Sequence, residues 1–220
     1  MKKETINNLV YKDNPNLLAK VGFVIFYPFQ FYVYKDVYKS MEQESEFIVD
    51  MGTFFPTDQP QELLDDIYKL LKNKGVHFRI LHFTDYYSGT YLESFFKKYQ
   101  TLVSVWNRGC YRLSCNKEKK TVCMQYGAGK DLATFALWRK DFDLVLAYGE
   151  RDHAILSLMT SSKIVGNPKF DDWFNSNFDH GLIDKIQTKL DKSKKTVLYL
   201  PTHSDLCSID DLAEELKDRK

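Results

Sequence analysis

The sequence predicts an α/β fold, a doubly wound parallel sheet with helices on both faces, and three observations carry that prediction. Short apolar runs alternate with amphipathic stretches along almost the whole chain. The runs are mostly continuous rather than alternating, as expected of strands buried on both faces. The clearest amphipathic stretch between them, "PQELLDDIYKLLKNKG", has the caps and the single apolar face of a helix packed on a sheet. Repeated strand–helix–strand units imply right-handed crossovers, hence a Rossmann-like sheet.

The first strand is "VGFVIFY", over 21–27. In the aromatic stretch that follows, Phe29, Val33 and Val37 fall at i, i+4 and i+8, which predicts a helix packing on the sheet rather than a stacking or membrane surface. "FIVDM" (47–51) is the second strand. The helix of residues 60–75 has Pro60 near its start, acids early, lysines late and Gly75 at its end, with Leu63, Leu64, Ile67, Leu70 and Leu71 on one face. "FRILHF" (78–83), "LVSVW" (102–106), "TVCMQY" (121–126) and "DLVLAYG" (143–149) read as further strands. In "SKIVGNPKFDDWF" (162–174) a short strand ends at Gly166, Asn167 and Pro168, and Asp171 opens a helix carrying Trp173 and Phe174. Either this is a plain connector with Trp173 in the core, or the Gly166 and Asn167 backbone faces an interdomain cleft. After the charged connector "KLDKSKK" come a strand, "TVLYLPT" (196–202), and a helix, "SIDDLAEELKDRK", capped by Ser208 with Asp210 and Asp211 in its first turn. One strand and one helix cannot bury a core alone. They are either an extra unit on the main sheet or the opening of a second domain. The second reading, a domain over 1–192 followed by a linker and domain opening over 193–220, is the expected one and makes the chain a fragment of a larger protein.

A composition of 44% hydrophobic and 15% aromatic residues excludes a disordered chain. The net charge of +1 gives no reason to expect nucleic acid as a partner, and the lysine clusters at 117–120 and 192–195 read as solvated connectors. Cys110, Cys115, Cys123 and Cys207 form no C-x-x-C pair, and His77, His82, His153 and His180 show no metal spacing, so buried thiols and no metal or cofactor are expected. The polar start "MKKETINNLVYKDNPN" lacks an apolar leader core, and the longest uncharged stretch, 21–34, is too short for a bilayer. A reduced, cytoplasmic, soluble chain follows.

Ligands of such sheets bind beyond the carboxyl ends of the strands, where strand order reverses. That rule singles out the loops "YPFQFYVYK", "MGTFFPTDQ", "HFTDYYSGT", "WNRGC" and "QYGAGKD". In "QYGAGKD", Gly127 and Gly129 let the backbone approach an anion and Lys130 adds a charge. The spacing is neither a Walker loop nor a dinucleotide fingerprint, so a bare strand-to-helix turn stands beside the anion site. In "LYLPTHSDLCS", His203 lies near Thr202 and Asp205 at the end of a strand, suited to acid–base work, to phosphate binding or to a structural hydrogen bond.

Taken in order, "QYGAGKD", "DLVLAYGERD", "KIVGNPKFDDWF", a charged linker and "VLYLPTHSD" resemble the CDP-glycerol glycerophosphotransferase family, the teichoic-acid and capsule polymerases of glycosyltransferase-B fold. The resemblance spans about 121–212. It implies that this is the N-terminal, acceptor-binding part of an enzyme moving an alditol phosphate from a CDP-activated donor to a polymer or lipid-linked acceptor, at the inner face of the cell membrane. Within the resemblance Tyr126 falls at the position of a cleft histidine thought to help deprotonate the acceptor, and Thr202 and Asp205 match the segment after the linker. With the residue-level readings above, the catalytic candidates are Tyr126, His203 and Asp205, and the substrate-binding candidates Gly127, Gly129, Lys130, Gly166, Asn167 and Thr202. The chain departs from the pattern where Tyr126 replaces a histidine, Ala128 a threonine and Ser204 an arginine. A tyrosine of pKa near 10 is a poor base at neutral pH. The donor is held mainly by the family's second domain, so the chain alone is expected to be inactive. The alternatives are a non-catalytic acceptor-binding module of the same fold, a sugar-nucleotide epimerase-like protein, and a response-regulator sheet, for which "YPFQF" lacks the acidic pocket.

Overall fold

The computed structural model describes residues 19–50, 60–81, 99–106, 119–125, 127 and 131–196. Among the described residues seven strands form one sheet: β1 (Val21–Ile25), β2 (Ser45–Asp50), β3 (Phe78–Leu81), β4 (Thr101–Ser104), β5 (Lys120–Met124), β6 (Leu144–Ala147) and β7 (Ser162–Ile164). Their order is β3-β2-β1-β4-β5-β6-β7 and every neighbouring pair is parallel. The predicted α/β, doubly wound parallel sheet is the observed one. Val21 is in register with Ser45 on one side and Thr101 on the other, so β1 is a central strand and strand order reverses between β1 and β4.

Alternation along the strands builds two apolar layers. Phe23, Ile25, Phe47, Val49, Ile80, Val103 and Met124 face α1 (Phe31–Ser40) and α2 (Pro60–Asn73), which contribute Phe31, Val33, Tyr34 and Tyr38, and Leu64, Ile67 and Leu71. On the other face Val24, Ile48, Leu102, Cys123 and Val145 meet Phe142 and Leu156, the latter from α4 (Glu150–Leu156). At Gly22 a Cβ would lie 2.4 Å from Ile48 Cδ1 and 2.8 Å from Leu102 Cδ2, so a larger residue would force those buried side-chain ends to move.

The end of α2 explains its glycine. Val76 N–H reaches back to Leu71 O and Gly75 N–H to Lys72 O, the paired bonds of a Schellman cap, with Gly75 at φ +67°. The expectation for Phe29 is corrected. The helix starts only at Phe31, Phe29 sits in the preceding 3-10 turn (Pro28–Gln30), and it is 42% exposed, while Gln30 takes the inward position. The connector reading of 162–174 is corrected in one respect: Trp173 is 64% exposed and lies outside the core. Its helix, α5 (Asp171–Phe174), is a single turn, and the segment is anchored by buried Pro168 and by Lys35 Nζ on Asp172 Oδ1 at 2.5 Å. Burial pulls the Lys35 ammonium down, but hydrogen bonds to Asp172 and Asp36 outweigh it and hold the group above its ordinary range.

Helical structure after "QYGAGKD" is likewise brief: α3 (Asp131–Thr134) is one turn, followed by a 3-10 turn (Leu137–Asp141). Cys123 is buried and free; Cys110, Cys115 and Cys207 lie outside the described residues, as do the strand from 197 onward and the final helix. The chain divides into two compact units, Met1–Asn175 and Ser176–Lys220. In the second, α6 (His180–Gln187), which the sequence reading did not single out, is capped by Asp179, whose Oδ1 accepts from Leu182 N–H at 3.0 Å. Among the described residues no helix is long and apolar enough to cross a membrane.

Candidate functional site

Strand order reverses between β1 and β4, and the carboxyl ends at such a reversal are where ligands of open parallel sheets bind. The turn leaving β1 is set from within. Pro28 begins it, and Gln30 Oε1 accepts from Phe26 N–H at 2.6 Å and Tyr27 N–H at 2.9 Å. Gln30 is fully buried, and among the described residues its Nε2 has no hydrogen-bond partner. Leaving β4, Ser104 Oγ donates to Trp106 O at 2.6 Å and accepts from Trp106 N–H at 3.2 Å, fixing the tryptophan at the strand end.

Trp106 stacks on Trp138, with centroids 5.9 Å apart and planes 22° off parallel. Beside that pair lies Arg139, 3% exposed, its guanidinium 4.4 Å from the Trp138 ring and its Nη1 donating to Cys123 Sγ at 2.8 Å. Burial pushes the Cys123 thiol up to about 11, outweighing the opposing pull of Arg139.

At the end of β5 stands Gln125, the first residue of "QYGAGKD". It is buried, its Oε1 accepts from Tyr148 N–H at 2.6 Å, and its Nε2 donates to Asp152 Oδ2 at 2.9 Å. One amide thus locks the β5 loop to the turn after β6 and to the first turn of α4. The far end of the same loop is tied down by Asp131, whose carboxylate takes a two-pronged contact from Arg151 at 2.8 and 3.2 Å. The hydrogen bonds from Arg151 hold the Asp131 carboxyl below the usual carboxylate range.

Gly127 lies between these anchors. It does not adopt positive φ, and among the described residues a Cβ there would meet nothing within 4 Å. Gly166 is different: its φ is +75°, so the turn itself asks for glycine, and Asn167 Oδ1 accepts from Lys169 N–H at 3.3 Å to cap the following 3-10 turn (Pro168–Phe170). That turn reaches the start of α1, where Lys169 Nζ lies 5.9 Å from the Phe29 ring and Phe29 stacks on Tyr27 at 5.7 Å. Burial lowers the Lys169 ammonium. Segments after β1 and β7 therefore meet at the carboxyl edge.

Tyr126, Gly129, Lys130, Thr202, His203 and Asp205 lie outside the described residues. A groove of about 580 Å³ lined by Leu144 and residues 157–163 sits at the amino ends of β6 and β7 and holds no carboxylate, histidine or cysteine, so it is set aside. Among the described residues no three His, Cys, Asp or Glu side chains gather as metal ligands. Sequence reasoning assigned no role to Gln125, Asp152, Trp106, Trp138 or Arg139, although Gln125 and Trp106 open the candidate loops "QYGAGKD" and "WNRGC".

The fold defines a doubly wound α/β protein. A scan against protein-family models finds no match, and a search of curated proteins finds no significant one.

Proposed function

We propose that the chain is the acceptor-side part of a transferase similar to the CDP-glycerol glycerophosphotransferases, with "QYGAGKD" lining the acceptor cleft. In this reading an acceptor hydroxyl attacks the phosphorus bearing the alditol, its proton passes to a base, and the anhydride bond to CMP breaks. The work is done at the inner face of the membrane, where a lipid-linked acceptor is found. The observation that supports the reading most is Gly127. It stands beside the reversal of strand order, in a loop pinned at Gln125 and Asp131, where neither φ nor packing among the described residues calls for glycine. A missing side chain at such a point leaves room for a substrate to approach the backbone.

A second reading, a non-catalytic acceptor-binding module, is favoured by Tyr126 at the histidine position, because a phenol is a poor base at neutral pH. Titration calorimetry with a glycerol-phosphate oligomer, together with transfer from labelled CDP-glycerol, tests both. Binding is expected, and Lys130→Ala is expected to weaken it by about 1–2 kcal/mol, the scale of a hydrogen bond to a charged group. Binding without transfer, even when the donor-binding domain is supplied, selects the module. Absence of binding by the folded wild type overturns both readings.

A further inference from the structure

We infer that Arg139 is an anion-binding residue, holding an oxyanion group of a small ligand at the carboxyl ends of β4 and β5 beside the stacked pair Trp106 and Trp138. Arg139 carries a charge that no described side chain neutralises. A guanidinium cannot be deprotonated in a protein, and burying an unpaired ion costs several kcal/mol. Arg139 is 3% exposed, and among the described residues no carboxylate forms an ion pair with it. Its Nε has no hydrogen-bond partner. Its Nη1 is spent on a thiol, a weak acceptor that is neutral at physiological pH because burial raises the Cys123 pKa to about 11. The Trp138 face at 4.4 Å returns about 1–2 kcal/mol, which does not offset the cost of burial.

Location supplies a second and independent argument. Trp106 follows β4, the strand next to β1 where order reverses, and Cys123 lies near the carboxyl end of β5. The unsatisfied cation therefore stands where a doubly wound sheet receives its ligand. Trp106 and Trp138 are only partly buried, so the stacked pair forms a side of the site that solvent reaches. The planar fork of a guanidinium suits a phosphate or a carboxylate equally well. The site is separate from the Gly127 loop, and its test does not depend on the transferase reading.

The experiment is thermal unfolding of the intact chain in inorganic phosphate, pyrophosphate or malonate, each matched in ionic strength with potassium chloride. A saturating rise in Tm is expected with at least one oxyanion. A response to phosphate or pyrophosphate identifies a phosphorylated ligand, and one to malonate alone a carboxylate ligand. Arg139→Lys keeps the charge but loses the fork, and should weaken half-saturation about tenfold. Arg139→Met should abolish saturation and, without oxyanion, unfold at a Tm no lower than wild type, since replacing an unpaired buried charge by an apolar side chain relieves its desolvation. A wild type that responds to none of the three, or an Arg139→Lys protein that saturates as wild type does, overturns the proposal. So does an Arg139→Met protein that unfolds several degrees lower without oxyanion or fails to fold, because Arg139 would then be structural.

Discussion

At the scale of single residues, burial decides what each polar group can do. Glu46, second in β2, is 3% exposed, and it is tolerated there because Arg79 Nε contacts it at 2.9 Å and Tyr99 Oη donates at 2.5 Å. Its charge belongs to the architecture of the amino edge, away from the carboxyl ends of the strands. Cys123 shows the opposite economy: buried without a carboxylate, it remains a thiol, its pKa pushed from 9.0 to about 11. Because the folded state keeps this proton after the unfolded chain has lost it, stability is undiminished below about pH 9 and falls as pH rises toward 11. Urea unfolding between pH 8 and 11 should therefore show a loss on the order of 2 kcal/mol that Cys123→Ala lacks. Tyr38, raised to about 12 chiefly by burial, adds a further loss at the upper end in both proteins. Equal losses in the two proteins would remove Cys123 as the cause.

At the scale of elements, helix ends and turns are settled by backbone geometry. α2 stops where it does because Gly75 accepts φ +67° and lets Val76 and Gly75 return their N–H groups to Leu71 and Lys72. A Cβ at Gly75 would meet nothing within 4 Å, so substitution costs only the left-handed backbone. Gly75→Ala is expected to destabilise by about 1 kcal/mol with an unchanged denaturant slope, measured by urea titration. Gly22→Ala would be a different experiment, since there the obstacle is packing between strands. The turn after β7 follows a third logic: Gly166 makes the bend, Asn167 caps the next turn, and Lys35 with Asp172 fastens it to α1.

At the scale of the whole molecule, the sheet order places some strands under more protection than others. β1, β4 and β5 have neighbours on both sides, and apolar layers cover both faces of the sheet. Backbone amides in such strands open only with global unfolding. Native-state hydrogen exchange should find the slowest amides at Phe23, Val24, Val103 and Cys123, and faster exchange in the edge strands β3 and β7. Faster exchange in β1 than in β7 would contradict the described pairing. The same order puts Gly127 and Arg139, the residues on which both proposals rest, toward the carboxyl edge of the sheet.

What the sequence determined by itself was the local part: six described strands from continuous apolar runs, the short seventh from the turn signal that follows it, α2 from its one-sided leucines, and Gly75 and Gly166 as turn residues. These follow from periodicity and φ preference, which act within a few residues of chain. The glycine-bearing loop after β5 was legible for the same reason. Tertiary structure alone decided that Phe29 and Trp173 stand outside the core while Gln30 and Arg139 go inside. It alone joined Gln125 to Asp152 across 27 positions, Glu46 to Tyr99 across 53, and Lys35 to Asp172 across 137. Such contacts depend on which strands become neighbours, and that choice is made by packing the whole sheet, so no local window of the sequence carries it.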